Sequence, residues 1–396
     1  MSKPGMRCSG DIDLFQKLVE DPKVIAAREE AAKNTHSDAR RHLLSTAVRL
    51  TPAMAPSICK MGERCRDTLD IESPLEIYVA PSPSFNAFSY GAHGGRVVVG
   101  FTSALLEGFD EDELAFVMGH ELGHYLFNHH DIPIHLLIRG DQALRPQQAL
   151  RLFSWQRYAE ISADRAGLVC VGKLAPTERA FFKLASGLTS KTVAFDIQAY
   201  LKQIGDIQSE SDAARKGEMR ADWFSSHPFS PLRVRATQLC SESEVCKDGG
   251  ESLELLEQKV SGLMSLMEPG YLADKSTSGE AMRRLLLAAG MTLASCHGGI
   301  SEEEVEALET FLGEGRIGNV SASALQADLA SRVEFANETV SALKRGQVLR
   351  DLCVVARADN NIAEGEKQFL RELALNLDVD PTLIDQTLAT TAAPLD

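Results

Sequence analysis

Apolar residues at helical spacing open the chain. From residue 11 to about residue 69, Leu, Ile and Ala recur three and four positions apart among Arg and Glu, with breaks at Pro52 and Pro56, which predicts two or three helices. The period then shortens. Leu75-Glu76-Ile77-Tyr78-Val79 and Arg96-Val97-Val98-Val99-Gly100-Phe101 read as strands, and Asn86-Ala87-Phe88-Ser89-Tyr90 reads as a third between them, flanked by Pro and Gly turn residues. Asp110 and Glu113 then form an Asp-x-x-Glu capping box. Leu114, Val117, Met118, Leu122 and Leu126 follow at helical spacing, so a helix is expected from this cap to about His129. More helices are expected over residues 141–170 and 176–207, with an exposed connection at 208–222.

A polar, Gly-ended stretch at 241–250 and a Pro-, Gly-, Ser- and Thr-containing stretch at 268–279 flank a helical segment at 253–266. They divide the chain into an α+β domain over residues 1–245 (a small sheet plus helices), a helical linker over 246–280 and an all-helical domain over 281–396. The last domain holds an internal repeat at an offset of 62 residues: Gly298-Gly299-Ile300-Ser301-Glu302-Glu303-Glu304 aligns with Asn360-Asn361-Ile362-Ala363-Glu364-Gly365-Glu366, and Leu308 with Leu370. Ser301 and Glu304 form a capping box after the first turn.

Composition narrows the function. At 396 residues, 44% hydrophobic and 24% charged, the chain is long enough for two packed domains. A net charge of −15 argues against nucleic acid or anionic lipid as a partner. The first fifteen residues mix Lys3, Arg7, Asp11 and Asp13 with no apolar run, unlike a signal peptide. The longest uncharged apolar stretch, at 285–296, falls short of the roughly 18 residues that a membrane span needs. Cys59/Cys65 and Cys240/Cys246 are too widely spaced for a zinc ribbon, and the eight cysteines read as thiols of a reducing, cytoplasmic compartment.

The chemistry concentrates at His120-Glu121-Leu122-Gly123-His124. Two histidines four residues apart on a helix lie about 40° apart around its axis and about 6 Å apart along it, so both imidazoles can meet one ion. Glu121 then stands beside the metal as general base for a bound water. A chance His-Glu-x-x-His is expected in only about 2% of shuffled sequences of this composition, which sets aside a coincidental pair. A catalytic zinc needs a third protein ligand. His130 has metzincin spacing, but Phe127 occupies the place of that pattern's Gly; a continuing helix would carry His130 about 15 Å from His120. Glu160, 36 residues after His124, is the stronger candidate, with Asp164 one turn on to hold a ligand imidazole by its other nitrogen. His227, in Ser226-His227-Pro228, can donate to an oxyanion, and Arg233 can pair with a site carboxylate.

With these residues in view, residues 70 to 240 resemble peptidase family forty-eight, gluzincins that include HtpX-like heat-shock proteases and CAAX prenyl endopeptidases. The resemblance rests on Asn86-Ala87-Phe88 and the strand after it, His-Glu-Leu-Gly-His, Glu160 with Asp164, and Ser-His-Pro before Arg233, in that order. It implies a zincin-like catalytic domain in which His120, His124 and Glu160 hold one zinc ion and Glu121 activates water. It also implies that the strand at Asn86, Ala87 and Phe88 aligns substrate backbone. Many relatives are membrane proteins, and the spanning helices around their sites have no counterpart here.

The C-terminal repeat resembles the TerB-like, tellurite-resistance type of helical domain, although the first copy carries His297 where that type has Asp. Ala363 and Glu364 break the EF-hand pattern counted from Asp359. The expected function is therefore a zinc metalloendopeptidase acting on peptide or protein substrates, with a helical domain that regulates it or recruits a protein partner. The rival is a zinc-stabilised binding or adaptor protein whose site is covered.

Overall fold

The computed structural model describes residues 4–33, 37–93, 95–138, 144, 146–189, 193–213, 228–264, 267, 276–297, 301–312, 317, 322–340, 342–357 and 362–389. The chain divides into two compact units, one formed by residues 1–142, 154–203 and 227–263, the other by 143–153, 204–226 and 264–396.

In the first unit three helices, α1 (Ser9–Val19), α2 (Pro22–Lys33) and α3 (Ser37–Thr46), lead into a short strand β1 (Val48–Leu50), followed by α4 (Pro56–Thr68). The N-terminal segment thus holds four helices and a strand where two or three helices were expected. Three residues carry little strand signal of their own; Val48-Arg49-Leu50 is extended because it pairs antiparallel with β2 (Leu75–Ala80). β3 (Ala87–His93) and β4 (Arg96–Thr102) complete a mixed sheet ordered β1-β2-β4-β3, four strands where three were expected. β2 runs parallel to β4, whereas β3 runs antiparallel to it, with Ala87 opposite Phe101 and Ser89 opposite Val99, so β3 forms an edge.

Alternation along β4 sorts its side chains. Val97, Val99 and Phe101 join Ile77, Met118 and Leu122 in the main core. Val98, with Tyr78 and Leu43, forms a smaller cluster on the other face, against which Phe88 packs. Gly100 leaves room for the Phe88 ring against β4, since a Cβ there would come within 2.1 Å of it.

After α5 (Ser103–Gly108) comes α6 (Glu111–Leu126). Asp110 Oδ1 accepts the Glu113 N–H at 2.9 Å and Glu113 Oε2 accepts the Asp110 N–H at 2.8 Å, the capping box that the sequence predicts. The far end differs from expectation. α6 stops at Leu126, and Asn128 adopts a left-handed conformation with φ of 59°, which Asn tolerates better than most residues. The chain folds back through a 3₁₀ turn, His129–Asp131, in place of continuing as helix.

There follow α7 (Ile134–Leu137), α8 (Pro146–Val171), α9 (Leu174–Ser186), α10 (Ile197–Ala213), α11 (Ser230–Ser241) and α12 (Leu253–Met264). Helix therefore reaches into the stretch expected as an exposed connection. α12, within the segment read from the sequence as a linker, packs in the first unit, where Glu257 accepts from Ser9 Oγ at 2.8 Å and pairs with buried Arg165 at 2.5 Å. α6 and α8 approach closely because both are stripped of bulk where they meet: a Cβ on Gly119 would stand 2.7 Å from Cys170 Sγ, and one on Gly123 would stand 2.8 Å from Ala166 Cβ.

The second unit is built on α13 (Thr277–Ala294), α14 (Glu302–Leu312), α15 (Ala322–Thr339), α16 (Ala342–Ala356), α17 (Glu364–Asn376) and α18 (Thr382–Ala389). Leu285, Leu293, Leu308, Leu349, Leu352, Leu370 and Ile384 form its core. The repeat is visible in the helix starts: Glu304 Oε2 accepts the Ser301 N–H at 2.8 Å, and Glu366 Oε2 accepts the Ala363 N–H at 2.7 Å. The turns at 298–300 and 358–361, with Asp359, Asn360 and Asn361, lie outside the described residues. Among the described residues no helix is long and apolar enough to cross a membrane.

Candidate metal centre

α6 presents His120 and His124 one turn apart, and their Nε2 atoms stand 3.1 Å from each other. The close seam of α6 and α8 carries Glu160 to the same point, with Oε1 3.3 Å from His124 Nε2 and Oε2 3.6 Å from His120 Nε2. Among the described residues this is the one group of three His, Cys, Asp or Glu side chains whose donor atoms converge, all within 4.8 Å.

The donor set fits a tetrahedral ion. Bonds of about 2.0–2.1 Å at tetrahedral angles set ligand atoms roughly 3.3–3.4 Å apart, close to the 3.1 Å between the two imidazole nitrogens and the 3.3 Å from His124 Nε2 to Glu160 Oε1. Protonation fits as well. His120 Nδ1 lies 2.9 Å from Asp164 Oδ1, an acceptor, so its proton sits on Nδ1 and the Nε2 lone pair faces the ion position. Burial opposes a charged His124, but the Glu160 hydrogen bond and charge, with the charge of Glu121, raise its pKa nonetheless. The point where these groups meet favours positive charge.

Asp164 and Glu160 share a cation. Arg233, on α11, donates from Nε to Asp164 Oδ2 at 2.9 Å and from Nη2 to Asp164 Oδ1 at 2.6 Å, and Nη2 also stands 3.1 Å from Glu160 Oε2. Against the opposing effect of burial, Asp164 and Glu160 raise the Arg233 pKa and keep it charged. One guanidinium thereby fixes both carboxylates, and its Cζ lies over the Phe181 ring, 5.2 Å from the centroid.

Glu121 follows His120 and turns toward β3, where Ser89 Oγ donates to its Oε2 at 2.8 Å. Ser89 also lies 3.2 Å from His130 Nε2. A cleft of about 480 Å³ opens over these groups, lined by Asn86, Ala87 and Ser89 on one side and by Phe181, Leu184 and Arg233 among others. The Phe88 side chain packs on the opposite face of the sheet, so of the three strand residues singled out by sequence only Asn86 and Ala87 border the cleft. His227 lies outside the described residues.

His130 is nearer than a continuing helix would allow. The turn at Asn128 brings its ring centroid to 6.4 Å from that of His124, at the cleft edge. Its neighbour His129 goes the other way, into the interior behind His124: His129 Nδ1 is 2.8 Å from His124 Nδ1 and its Nε2 is 3.0 Å from Asp11 Oδ2. Burial pushes the His129 pKa down to about 4 against the pull of Asp11. Burial would raise the Asp11 carboxyl, but hydrogen bonds from His129 and Arg7 hold it well below the usual carboxylate range. Sequence reasoning missed Ser89, His129 and Asp11. The His129-His130 doublet was the one available signal, and nothing local pointed to Asp11.

Residues 52–239 match the family model described as Peptidase family M48, and residues 283–388 match that of Tellurite resistance protein TerB. Among curated proteins, the chain is similar to the plastoglobule-localized metallopeptidase 48, chloroplastic, of Arabidopsis thaliana, with 27% identity over 188 residues, 45% of this chain and 54% of that relative. It is also similar to the protease HtpX homolog of Moorella thermoacetica, with 35% identity over 78 residues, 20% of this chain and 26% of the relative. The HtpX homolog of Gemmatimonas aurantiaca is 22% identical over 222 residues, 48% of this chain and 77% of its own length. The chain thus spans about half the length of the Arabidopsis relative and a quarter of the Moorella one.

Proposed function

From a chain that carries a peptidase family M48 domain followed by a TerB domain, we propose a zinc-dependent metalloendopeptidase with one catalytic ion held by His120, His124 and Glu160. The observation that carries this reading is the convergence of two imidazole Nε2 atoms and a carboxylate beside a fourth group, Glu121, that is held apart from them by Ser89. When bound, the ion acidifies a water and polarises the scissile carbonyl.

The protein groups do the remaining work. Glu121 takes the proton of the attacking water and passes it to the leaving amine, and its hydrogen bond from Ser89 orients the carboxylate toward the cleft. The edge of β3 pairs with the extended substrate through main-chain hydrogen bonds, which select for conformation before sequence. His227 donates to the oxyanion. Arg233 keeps Asp164 on His120 and steadies Glu160, supporting the geometry of the ligand set. The TerB domain serves regulation or recruits a protein partner, and the eight thiols fit a cytoplasmic setting.

The test is hydrolysis of an unfolded protein by wild type and Glu121→Gln at equal zinc content. Turnover should fall at least about a hundredfold in the variant, the range expected for a lost general base. Equal rates, or no hydrolysis by a zinc-loaded wild type, would remove the peptidase reading.

A further inference from the structure

The first helix lies outside the segment that matches the peptidase family, yet one of its side chains reaches the metal centre through a single imidazole. We propose that Asp11 and His129 are positioning residues that fix the His124 ring with its Nε2 lone pair toward the ion, making α1 a working part of the centre. This rests on the reading of His120, His124 and Glu160 as zinc ligands.

The protons available to these groups fix their tautomers. Asp11 is fully buried. Its Oδ1 accepts from Trp155 Nε1 at 3.0 Å and Arg7 Nη2 at 3.1 Å, and its Oδ2 accepts from Ser162 Oγ at 2.8 Å and Arg7 Nε at 2.9 Å. A carboxylate surrounded by donors in this way is ionised and can only accept. The His129 nitrogen facing it at 3.0 Å therefore carries a proton.

A neutral imidazole has one N–H, so His129 Nδ1 is left as an acceptor. It stands 2.8 Å from His124 Nδ1, which must then be the donor. With its proton committed to Nδ1, His124 keeps a lone pair on Nε2, the atom that faces His120 and Glu160. The opposite assignment would either set two N–H groups against each other or move the His124 proton onto Nε2, where it would block the ion. Asp164 does the same for His120 in one step; Asp11 does it for His124 in two. Ser162 closes the arrangement, since its Oγ accepts the Cys8 N–H at 3.0 Å while donating to Asp11, tying α1 to the helix that bears Glu160.

Zinc dissociation constants of the full chain, measured by competition with a chromophoric chelator, test this. Asp11→Asn and His129→Leu should each weaken zinc about 10–100-fold, the usual cost of losing such a partner. His129→Asn should stay near wild type, because its amide oxygen can replace Nδ1 as acceptor. Adding Asp11→Asn to His129→Asn should then cost no further affinity. Histidine ring nitrogen shifts in the metal-free protein, read at a pH where the His124 ring is neutral, supply a second readout: His124 protonated on Nδ1 in wild type and His129→Asn, and redistributed toward Nε2 in Asp11→Asn. A merely structural role would lower all melting temperatures without moving that proton.

Wild-type zinc affinity in His129→Leu, or equal losses in His129→Asn and His129→Leu, would overturn the proposal. The His129 pair decides alone if Asp11→Asn does not fold. Glu160→Ala separates the two levels: full zinc affinity in that variant would sink the ligand assignment itself, whereas lost zinc there with an unaffected His129→Leu would sink only the relay.

Discussion

Gly123→Ala adds a single methyl group at the seam between α6 and α8. Its Cβ would stand 2.8 Å from Ala166 Cβ and 3.1 Å from Ala163 Cα, the latter a backbone atom that cannot swing aside. Apolar carbons settle at about 3.5–4.0 Å, so the helices must part by roughly 0.7–1 Å. Ligand distances in a metal site hold to about ±0.2 Å, so a shift of that size, carried to Glu160 less than one turn from Ala163, exceeds the tolerance several-fold. Zinc affinity should fall by tenfold or more, in order of magnitude. Overpacking of this kind costs about 1–3 kcal/mol, which for a unit of this size lowers the melting temperature by roughly 2–12 °C.

The assay pairs thermal melts of metal-free protein with chelator competition. The sign makes it decisive, because Ala is intrinsically better than Gly in a helix by about 1 kcal/mol. Gly262→Ala, where an added Cβ meets nothing within 4 Å, is the reference and should stabilise slightly. A Gly123→Ala protein that melts no lower than wild type and binds zinc as tightly would refute the close-seam reasoning.

Three further outcomes are expected. Asp110→Ala removes the α6 cap and should cost about 1 kcal/mol in a denaturant titration, with little change in zinc affinity. Arg233→Met strands Asp164 and Glu160 as buried carboxylates without their cation and should destabilise the metal-free protein by about 3–5 kcal/mol, read from urea midpoints. Glu76, chiefly through its hydrogen bonds from Arg40, has its pKa lowered on folding. Its contribution is complete above about pH 4.3, the unfolded value, and is lost as pH falls through the lower folded one. Glu76→Gln should therefore flatten the acid limb of the stability curve, and an unchanged limb would count against the pairing.

What could be read from the chain without coordinates follows the range of the forces involved. The start of α6 is local, since Asp110, Glu113 and the apolar spacing after them lie within one helix, and it forms where the pattern puts it. β2 and β4 announce themselves by runs of β-branched residues, whereas β1 has only three residues and owes its conformation to a partner 27 or more positions away. The end of α6 is not legible in the sequence because Phe127 reads as a helix former, while the conformation of Asn128 decides where the chain goes next. Glu160 and Asp164 share a helix face by spacing, so the pair was legible, and its meeting with His120 followed from the family resemblance. Asp11 and His129 are 118 residues apart, and no pattern links them until the chain folds.

Arg233 also bears on the charge of the ion proposed for this centre. Glu121, Glu160 and Asp164 are all buried, and Arg233 is the cation that touches the last two. Three formal negative charges against one positive leave a deficit of two, and an enclosed deficit of that size is costly to leave standing. The divalent ion proposed for the centre would close it. On the proposed reading, a monovalent ion would leave the centre negative and a trivalent one would leave it positive, so charge would select alongside donor type. Replacing Arg233 with a neutral residue would shift that balance by one unit and, with it, the kind of ion that the protein retains from a mixed pool.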